Sequence, residues 1–191
     1  MKTVAVLVGS LSANSINHKL AKAIEKLADG RLKFDYVDIG SLPHYNNDLW
    51  ANPPASVTEL KAKVEAADAV FIVMPEINRS YPAVVKNALD WASRPWGQNS
   101  WIGKPLAIAG ASPGAIGTAA GQNALRMTLP LYGFVVMGQP EVYLQFKPEL
   151  FNEQGDVIDE TTAGFLGNFI DKYVEWIGHH GQVRELSIAA E

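Results

Sequence analysis

Short apolar runs alternate with segments in which apolar residues have a helical spacing, and this alternation occurs five times. The runs cover residues 3–8, 33–39, 69–74, 106–109 and 134–137. Between them, apolar residues recur every three or four positions, as on the buried face of an amphipathic helix. The alternation predicts an α/β fold: a three-layer sandwich with a five-stranded parallel sheet, strand order 2-1-3-4-5.

The length of 191 residues fits one domain with a substantial core. We expect a single domain over residues 1–178. A closing helix is predicted over residues 161–177, and residues 179–191 are predicted to form a flexible C-terminal tail.

Composition excludes several classes of function. The chain has no cysteine, which rules out disulfides, thiolate catalysis and Cys-ligated metals. Its formal net charge is −4 without clustered Lys or Arg, which argues against nucleic acid as a partner. No apolar stretch approaches the length of a membrane helix, and the run at residues 4–8 is too short for a signal peptide. We expect a cytoplasmic protein with no metal site.

Ligands of such sheets bind at the carboxyl ends of the strands, so the loops there are the candidate site. The first loop, residues 9–17, has three serine hydroxyls and two asparagine amides just before a helix. Free N–H groups at a helix N-terminus favour phosphate; the alternative is plain capping by Ser15 or Asn14. With one glycine and no Gly-Lys-Ser/Thr, the first loop is neither a dinucleotide fingerprint nor a P-loop. A monophosphate ligand fits it better.

Two further loops belong to the same edge. The second loop, residues 74–82, is stiffened by Pro75 and Pro82, which favours holding backbone groups against a flat heterocycle. The third loop, residues 112–118, contains glycines that let backbone approach a ligand closely, or that simply make a turn. Lys86 and Asp90 on the helix between these loops have the spacing of an i,i+4 ion pair.

The motifs GSLSANSIN (9–17), PEINRSYPAVVKNALDW (75–91) and GASPGAIGTAAGQNALR (110–126) resemble those of the NADPH-dependent FMN reductase family. Within that family the chain is similar to bacterial chromate, quinone and ferric reductases, over residues 3–178. The resemblance implies a flavodoxin-like fold, FMN and NAD(P)H as cofactors, and a homodimer or homotetramer. It also implies hydride transfer to the flavin, followed by reduction of quinones, ferric chelates, chromate or azo compounds.

The resemblance also assigns residues to the cofactor. The first loop would surround the FMN phosphate, the second would contact the isoalloxazine mostly through backbone, and the third would lie along its other edge. The cofactor-binding residues so implied are Ser10, Ser12, Ser15, Ile16, Asn17, Pro75, Glu76, Ile77, Asn78, Ser112, Pro113, Gly114 and Gly117.

The sequence departs from the family pattern in three places. Ser12 stands where the family usually has arginine, Ile77 stands where it has tyrosine, and Pro82-Ala83-Val84 replaces Pro-Gly-Gly. A hydrogen bond from arginine to phosphate stabilises by roughly 1.5–3 kcal/mol, so its loss would weaken FMN binding unless the neutral donors and the helix terminus suffice.

Arg94 is the candidate catalytic residue. It follows the helix after the second loop and precedes Trp96 and Trp101. A cation near the flavin would steer NAD(P)H phosphates or stabilise reduced, anionic flavin; the alternative is a surface arginine. Two other functions stay open: a flavodoxin-type electron carrier, and a non-catalytic protein whose flavin binding is weakened at Ser12.

Overall fold

The computed structural model describes the backbone of residues 1–188 and the side chains of residues 1–181. Its strands and helices are β1 (Lys2–Val8), α1 (Ile16–Leu27), β2 (Leu32–Val37), α2 (Ala55–Ala66), β3 (Ala69–Val73), α3 (Ala83–Ala92), β4 (Pro105–Ser112), α4 (Ala119–Arg126), α5 (Leu129–Tyr132), β5 (Val135–Val136), β6 (Val142–Gln145) and α6 (Glu160–Ile188). Among the described residues, no helix is both long enough and apolar enough to cross a membrane.

All strands are parallel, and their order is β2-β1-β3-β4-β5, as predicted. The edge position beside β4 is shared by two short strands. β5 pairs with the beginning of β4 at Pro105 and Leu106, whereas β6 pairs with its end from Ala109 to Ser112. β3 occupies the other side of β4. The sheet therefore has a sixth strand in addition to the five predicted ones.

Successive residues of each central strand point into two separate apolar layers, because side chains alternate across a strand. On β3, Val70 and Ile72 face one layer, in which Trp91 of α3 is fully buried. Phe71 faces the other layer, where it contacts Phe169 of α6 at 5.8 Å between ring centroids. Helices thus cover both faces of the sheet, and the predicted three-layer sandwich is confirmed.

The last helix is longer than the sequence pattern indicates. α6 continues to Ile188 instead of ending at residue 177. No proline interrupts the sequence after residue 177. Trp176 holds the helix on the sheet by donating an indole hydrogen bond to the Val135 carbonyl at 2.9 Å. Most of the predicted tail is therefore helical, and residues 189–191 lie outside the described residues. The division into a domain over residues 1–178 and a flexible tail stays a prediction.

Gly110 of β4 generates a prediction about stability. A Cβ at this position would overlap the Met74 carbonyl oxygen and the Thr118 hydroxyl. Gly110→Ala is therefore expected to lower the free energy of unfolding by about 1–3 kcal/mol, as overpacking of a core does. Urea denaturation measures it.

Gly164→Ala is the matched control for this substitution. It lies inside α6 with open space where the Cβ would be, so a gain of up to about 1 kcal/mol is expected. Equal losses in the two variants would contradict the packing assigned to Gly110.

Candidate functional site

The three loops are brought together by the pairing of the strands that they follow. Because β1, β3 and β4 are adjacent and parallel, their carboxyl ends share one edge of the sheet. Gly9 at the start of the first loop donates to the Val73 carbonyl at 2.8 Å, and Met74 at the start of the second donates to Ala109 at 3.0 Å. The site edge is thus a direct continuation of the sheet.

The first loop presents an array of backbone donors. Within the described residues, the N–H groups of residues 10–14 and of Ile16 make no hydrogen bond. Ser15 caps α1, as the capping interpretation has it, because its hydroxyl accepts from the N–H groups of Asn17 (3.2 Å) and His18 (3.3 Å). The hydroxyls of Ser10 and Ser12 remain without such a partner. Several N–H and O–H donors around a helix N-terminus match a phosphate ester.

The Asn17 side chain is held by the protein's own backbone. The residue is 1% exposed, and both polar groups of its side chain bind the backbone of Ala111. Its Nδ2 donates to the Ala111 carbonyl at 3.0 Å, and its Oδ1 accepts from the Ala111 N–H at 2.9 Å. The Asn17 side chain therefore joins the first loop to the end of β4.

The second loop contains a tight turn. Ile77 and Ser80 exchange two backbone hydrogen bonds of 3.0 and 2.9 Å. Between them Asn78 (φ 50°) and Arg79 (φ 65°) adopt left-handed conformations, the pattern of a type I′ turn. The turn leaves Ile77 half exposed at the site edge. In the described part of the chain the Asn78 amide has no hydrogen-bond partner.

The Glu76 side chain links this turn to α4. Its carboxylate is nearly buried, accepts from the Gly121 N–H at 2.9 Å and lies 3.6 Å from the Arg79 guanidinium. A carboxylate at the first turn of α4 is favoured by the helix dipole. A Cβ on Gly121 would come within 2.9 Å of the Ser80 carbonyl, so glycine permits this approach. The Glu76 side chain thus braces the second loop against α4.

The third loop is closed by its own polar groups. The Ser112 hydroxyl accepts from the Gly114 N–H at 3.1 Å. Pro113 and Gly114 are exposed at the edge, and Gly114 has room for a close neighbour. Gly117 serves packing instead: its φ is 58°, and a Cβ there would lie 2.5 Å from the carbonyl carbon of Tyr143 in β6.

Each of the three loops also exposes one large aliphatic side chain. Leu11 is 62% exposed, and Ile77 and Ile116 are each 51% exposed. Sequence reasoning missed Leu11 and Ile116, although an isolated apolar residue in a polar loop was the available signal. Aliphatic side chains beside a donor array suit a ligand with a phosphate at one end and a flat apolar ring at the other.

Arg94 lies away from this edge. α3 carries the chain back from the second loop to the amino ends of the strands, where β4 begins. Arg94 therefore comes at the opposite edge of the sheet, with its guanidinium 5.6 Å from the centroid of the Trp96 ring. Within one chain it therefore lies on the other side of the sheet from the three loops, and its role near a flavin stays a prediction.

Arg94 instead borders a cavity of about 560 Å³. The Lys86 ammonium lies 2.6 Å from the Asp90 carboxylate, confirming the predicted ion pair, and the Tyr132 hydroxyl donates to Asp90 at 2.8 Å. Burial, followed by the hydrogen bond to Asp90, raises the pKa of Tyr132 to about 12. At neutral pH the phenol is therefore a donor that fixes Asp90.

A family model describing NADPH-dependent FMN reductases matches residues 1–149. The chain belongs to this family. This FMN reductase family member is 47% identical over 174 residues to a 2-hydroxy-1,4-benzoquinone reductase from a Burkholderia species, covering 91% of this chain and 95% of that protein. It is 42% identical over 176 residues to a quinone reductase from Pseudomonas putida, covering 92% and 94%.

A solved structure agrees with this assignment. FerB from Paracoccus denitrificans, a flavoenzyme NAD(P)H:(acceptor) oxidoreductase, has a TM-score of 0.93 and 54% identity, covering 94% of this chain and 99% of that one. The predicted family resemblance and flavodoxin-like fold are therefore confirmed. The donors of the first loop also fit the phosphate of FMN, the family's cofactor.

The position of Asn17 generates a prediction. Asn17→Ala removes both hydrogen bonds to Ala111 and leaves two buried backbone groups unpaired, so a loss of about 2–4 kcal/mol in the free energy of unfolding is expected. Urea denaturation measures the loss. Asn14→Ala is the control in the same loop, exposed and without a hydrogen bond, and a change within about 0.5 kcal/mol is expected. A small effect of Asn17→Ala would contradict the bridging role.

Proposed function

We propose that this protein is a cytoplasmic FMN-dependent enzyme that transfers hydride from NAD(P)H, through the flavin, to quinones. The observation that carries the proposal is the unpaired donor array of the first loop, flanked by one exposed aliphatic side chain from each loop. Backbone N–H groups of residues 10–14 and the hydroxyls of Ser10 and Ser12 would hold the phosphate. The isoalloxazine would lie between the backbones of residues 75–78 and 112–114.

When bound, FMN supplies the hydride-accepting and hydride-donating chemistry. The chain's own residues bind and orient it. The only ionisable side chains in the three loops are Glu76, Arg79 and Tyr81, and the Glu76 carboxylate is already occupied by Gly121. The loops therefore favour catalysis by positioning, without a general acid or base of their own.

Quinones are the proposed acceptors. Two relatives that cover nearly the whole chain are a 2-hydroxy-1,4-benzoquinone reductase and a quinone reductase. The exposed side chains of Leu11, Ile77 and Ile116 offer an apolar surface that suits a flat quinone ring. We propose that the quinone takes the place that the nicotinamide leaves.

We further propose that the protein assembles as a homodimer or homotetramer in which Arg94 serves the flavin of a second copy. Arg94 is remote from its own three loops, yet it borders a cavity rimmed by exposed apolar side chains. These are Trp96 (88% exposed), Ile102 (61%) and Leu131 (88%). Exposed apolar patches of this kind mark protein interfaces.

The proposed activity predicts a visible flavin spectrum. Purified protein supplied with FMN is expected to show the flavin absorption band, which NADH or NADPH bleaches and a benzoquinone restores. Protein that binds FMN but is not reduced by either nucleotide would indicate an electron carrier instead. Protein that stays colourless with excess FMN would contradict the proposal altogether.

The proposed assembly predicts the effect of Arg94→Ala. Loss of a cation that contacts the nucleotide is expected to raise the KM for NAD(P)H roughly 10-fold while the FMN content stays unchanged. Steady-state kinetics and the flavin-to-protein absorbance ratio measure the two effects. Arg31→Ala is the control, because Arg31, in the turn between α1 and β2, pairs with Asp171 of α6. An unchanged KM in Arg94→Ala would refute the role.

A further inference from the structure

His18 is fixed against the first loop by two contacts. It is the third residue of α1, and its backbone N–H donates to the Ser15 hydroxyl at 3.3 Å. Its ring Nε2 lies 3.0 Å from the Ser10 carbonyl oxygen. The exposed imidazole is therefore held beside the unpaired N–H groups that would bind the FMN phosphate.

The contact with Ser10 determines which nitrogen carries the proton. A carbonyl oxygen only accepts hydrogen bonds, so Nε2 must be the donor. In the neutral ring Nδ1 then bears a lone pair, which would repel a phosphate oxygen. In the imidazolium both nitrogens are donors, and Nδ1 has no other partner within the described residues.

The first loop contains no charged side chain, and Ser12 occupies the position of the family's usual arginine. We propose that His18, as the imidazolium, supplies the positive charge for the FMN phosphate that Ser12 cannot supply. FMN binding is then coupled to protonation of His18 and weakens as the pH rises. This inference rests on the proposed FMN site of the first loop.

The titratable groups around His18 lie on α1, on β2 and just after β2. Tyr36 and Asp38, at the end of β2, line with it a cavity of about 360 Å³. The Asp38 carboxylate accepts from the N–H groups of Gly40 (2.9 Å) and Ser41 (3.3 Å).

Tyr36 keeps its hydroxyl proton near neutral pH. Burial, followed by its hydrogen bond to Glu25, raises the pKa of Tyr36 well above the usual range. Lys22 lies over the Tyr36 ring at 3.9 Å, and Lys19 follows His18 on α1. Of the residues lining the cavity, only His18 is of a type that changes charge between about pH 5 and 8.

The test compares FMN binding by the wild type and His18→Gln across this pH range. Glutamine keeps a neutral donor for Ser10 but carries no charge. The FMN Kd of His18→Gln is expected to exceed that of the wild type about 10-fold at the acidic end, and the ratio is expected to approach one at the alkaline end. The second ionisation of the FMN phosphate alters the Kd of both proteins, so the ratio of the two Kd values at each pH is the quantity compared.

Riboflavin, which lacks the phosphate, is the matched ligand, and its Kd is expected to be the same in both proteins. His179→Gln, at an exposed position of α6, is the matched protein and is expected to bind FMN as the wild type does. The double variant with Ser12→Arg and His18→Gln is expected to bind FMN as tightly as the wild type does at acidic pH. Because arginine stays charged, this tight binding is expected to persist at the alkaline end of the range.

Three outcomes would overturn the inference. Equal FMN affinity of His18→Gln and the wild type at every pH would show that the imidazolium contributes nothing. Equal weakening of riboflavin would show that His18 only shapes the loop. Wild-type protein that binds riboflavin but not FMN, or neither, would overturn the proposed FMN site itself, and the inference with it.

Discussion

The two hydrogen bonds between the Asn17 side chain and the backbone of Ala111 hold the candidate site together. β3 pairs with β4 only as far as Ala109, so Ala111, two residues further, has no strand partner on that side. The buried Asn17 amide takes the place of the missing strand and satisfies both backbone groups. It thereby fixes the start of α1, and with it the donor array of the first loop, relative to the third loop.

Glu76 fixes the second loop in a similar way, because its carboxylate accepts a hydrogen bond from the Gly121 N–H in α4. In both cases a polar side chain within a ligand-binding motif is occupied by the protein's own backbone. A buried polar group without a partner costs more free energy than its hydrogen bond contributes. These two side chains therefore need hydrogen-bond partners within the protein, whether or not a ligand is bound. Binding then falls to exposed hydroxyls and backbone N–H groups. A motif identifies where a site lies more reliably than which atoms of its residues face the ligand.

Strand order and the position of the three loops could be predicted from the sequence, because both follow from local periodicity and from the handedness of parallel crossovers. The split of the last sheet position could not, since the run at residues 134–137 predicted one strand there, and nothing in it shows that only Val135 and Val136 pair while β6 completes the position. The length of α6 was missed because the helix was predicted only over the stretch whose apolar side chains share one face, which ends at Ile177, whereas the helix continues to Ile188. The position of Arg94 was predictable: a helix that connects parallel strands must return the chain to their amino ends.

A site built from backbone donors and aliphatic side chains selects a ligand by shape more than by functional group. Ile77 illustrates this, because its side chain projects from a type I′ turn whose geometry is set by backbone alone. Isoleucine in place of the family's tyrosine removes a hydroxyl. The backbone hydrogen bonds between residue 77 and Ser80 do not involve the side chain. The acceptor then meets no fixed hydrogen-bond donor from this side chain. The apolar rim around Arg94 lies at the opposite edge of the sheet, so in the proposed assembly it would be a second copy that brings Arg94 to the flavin.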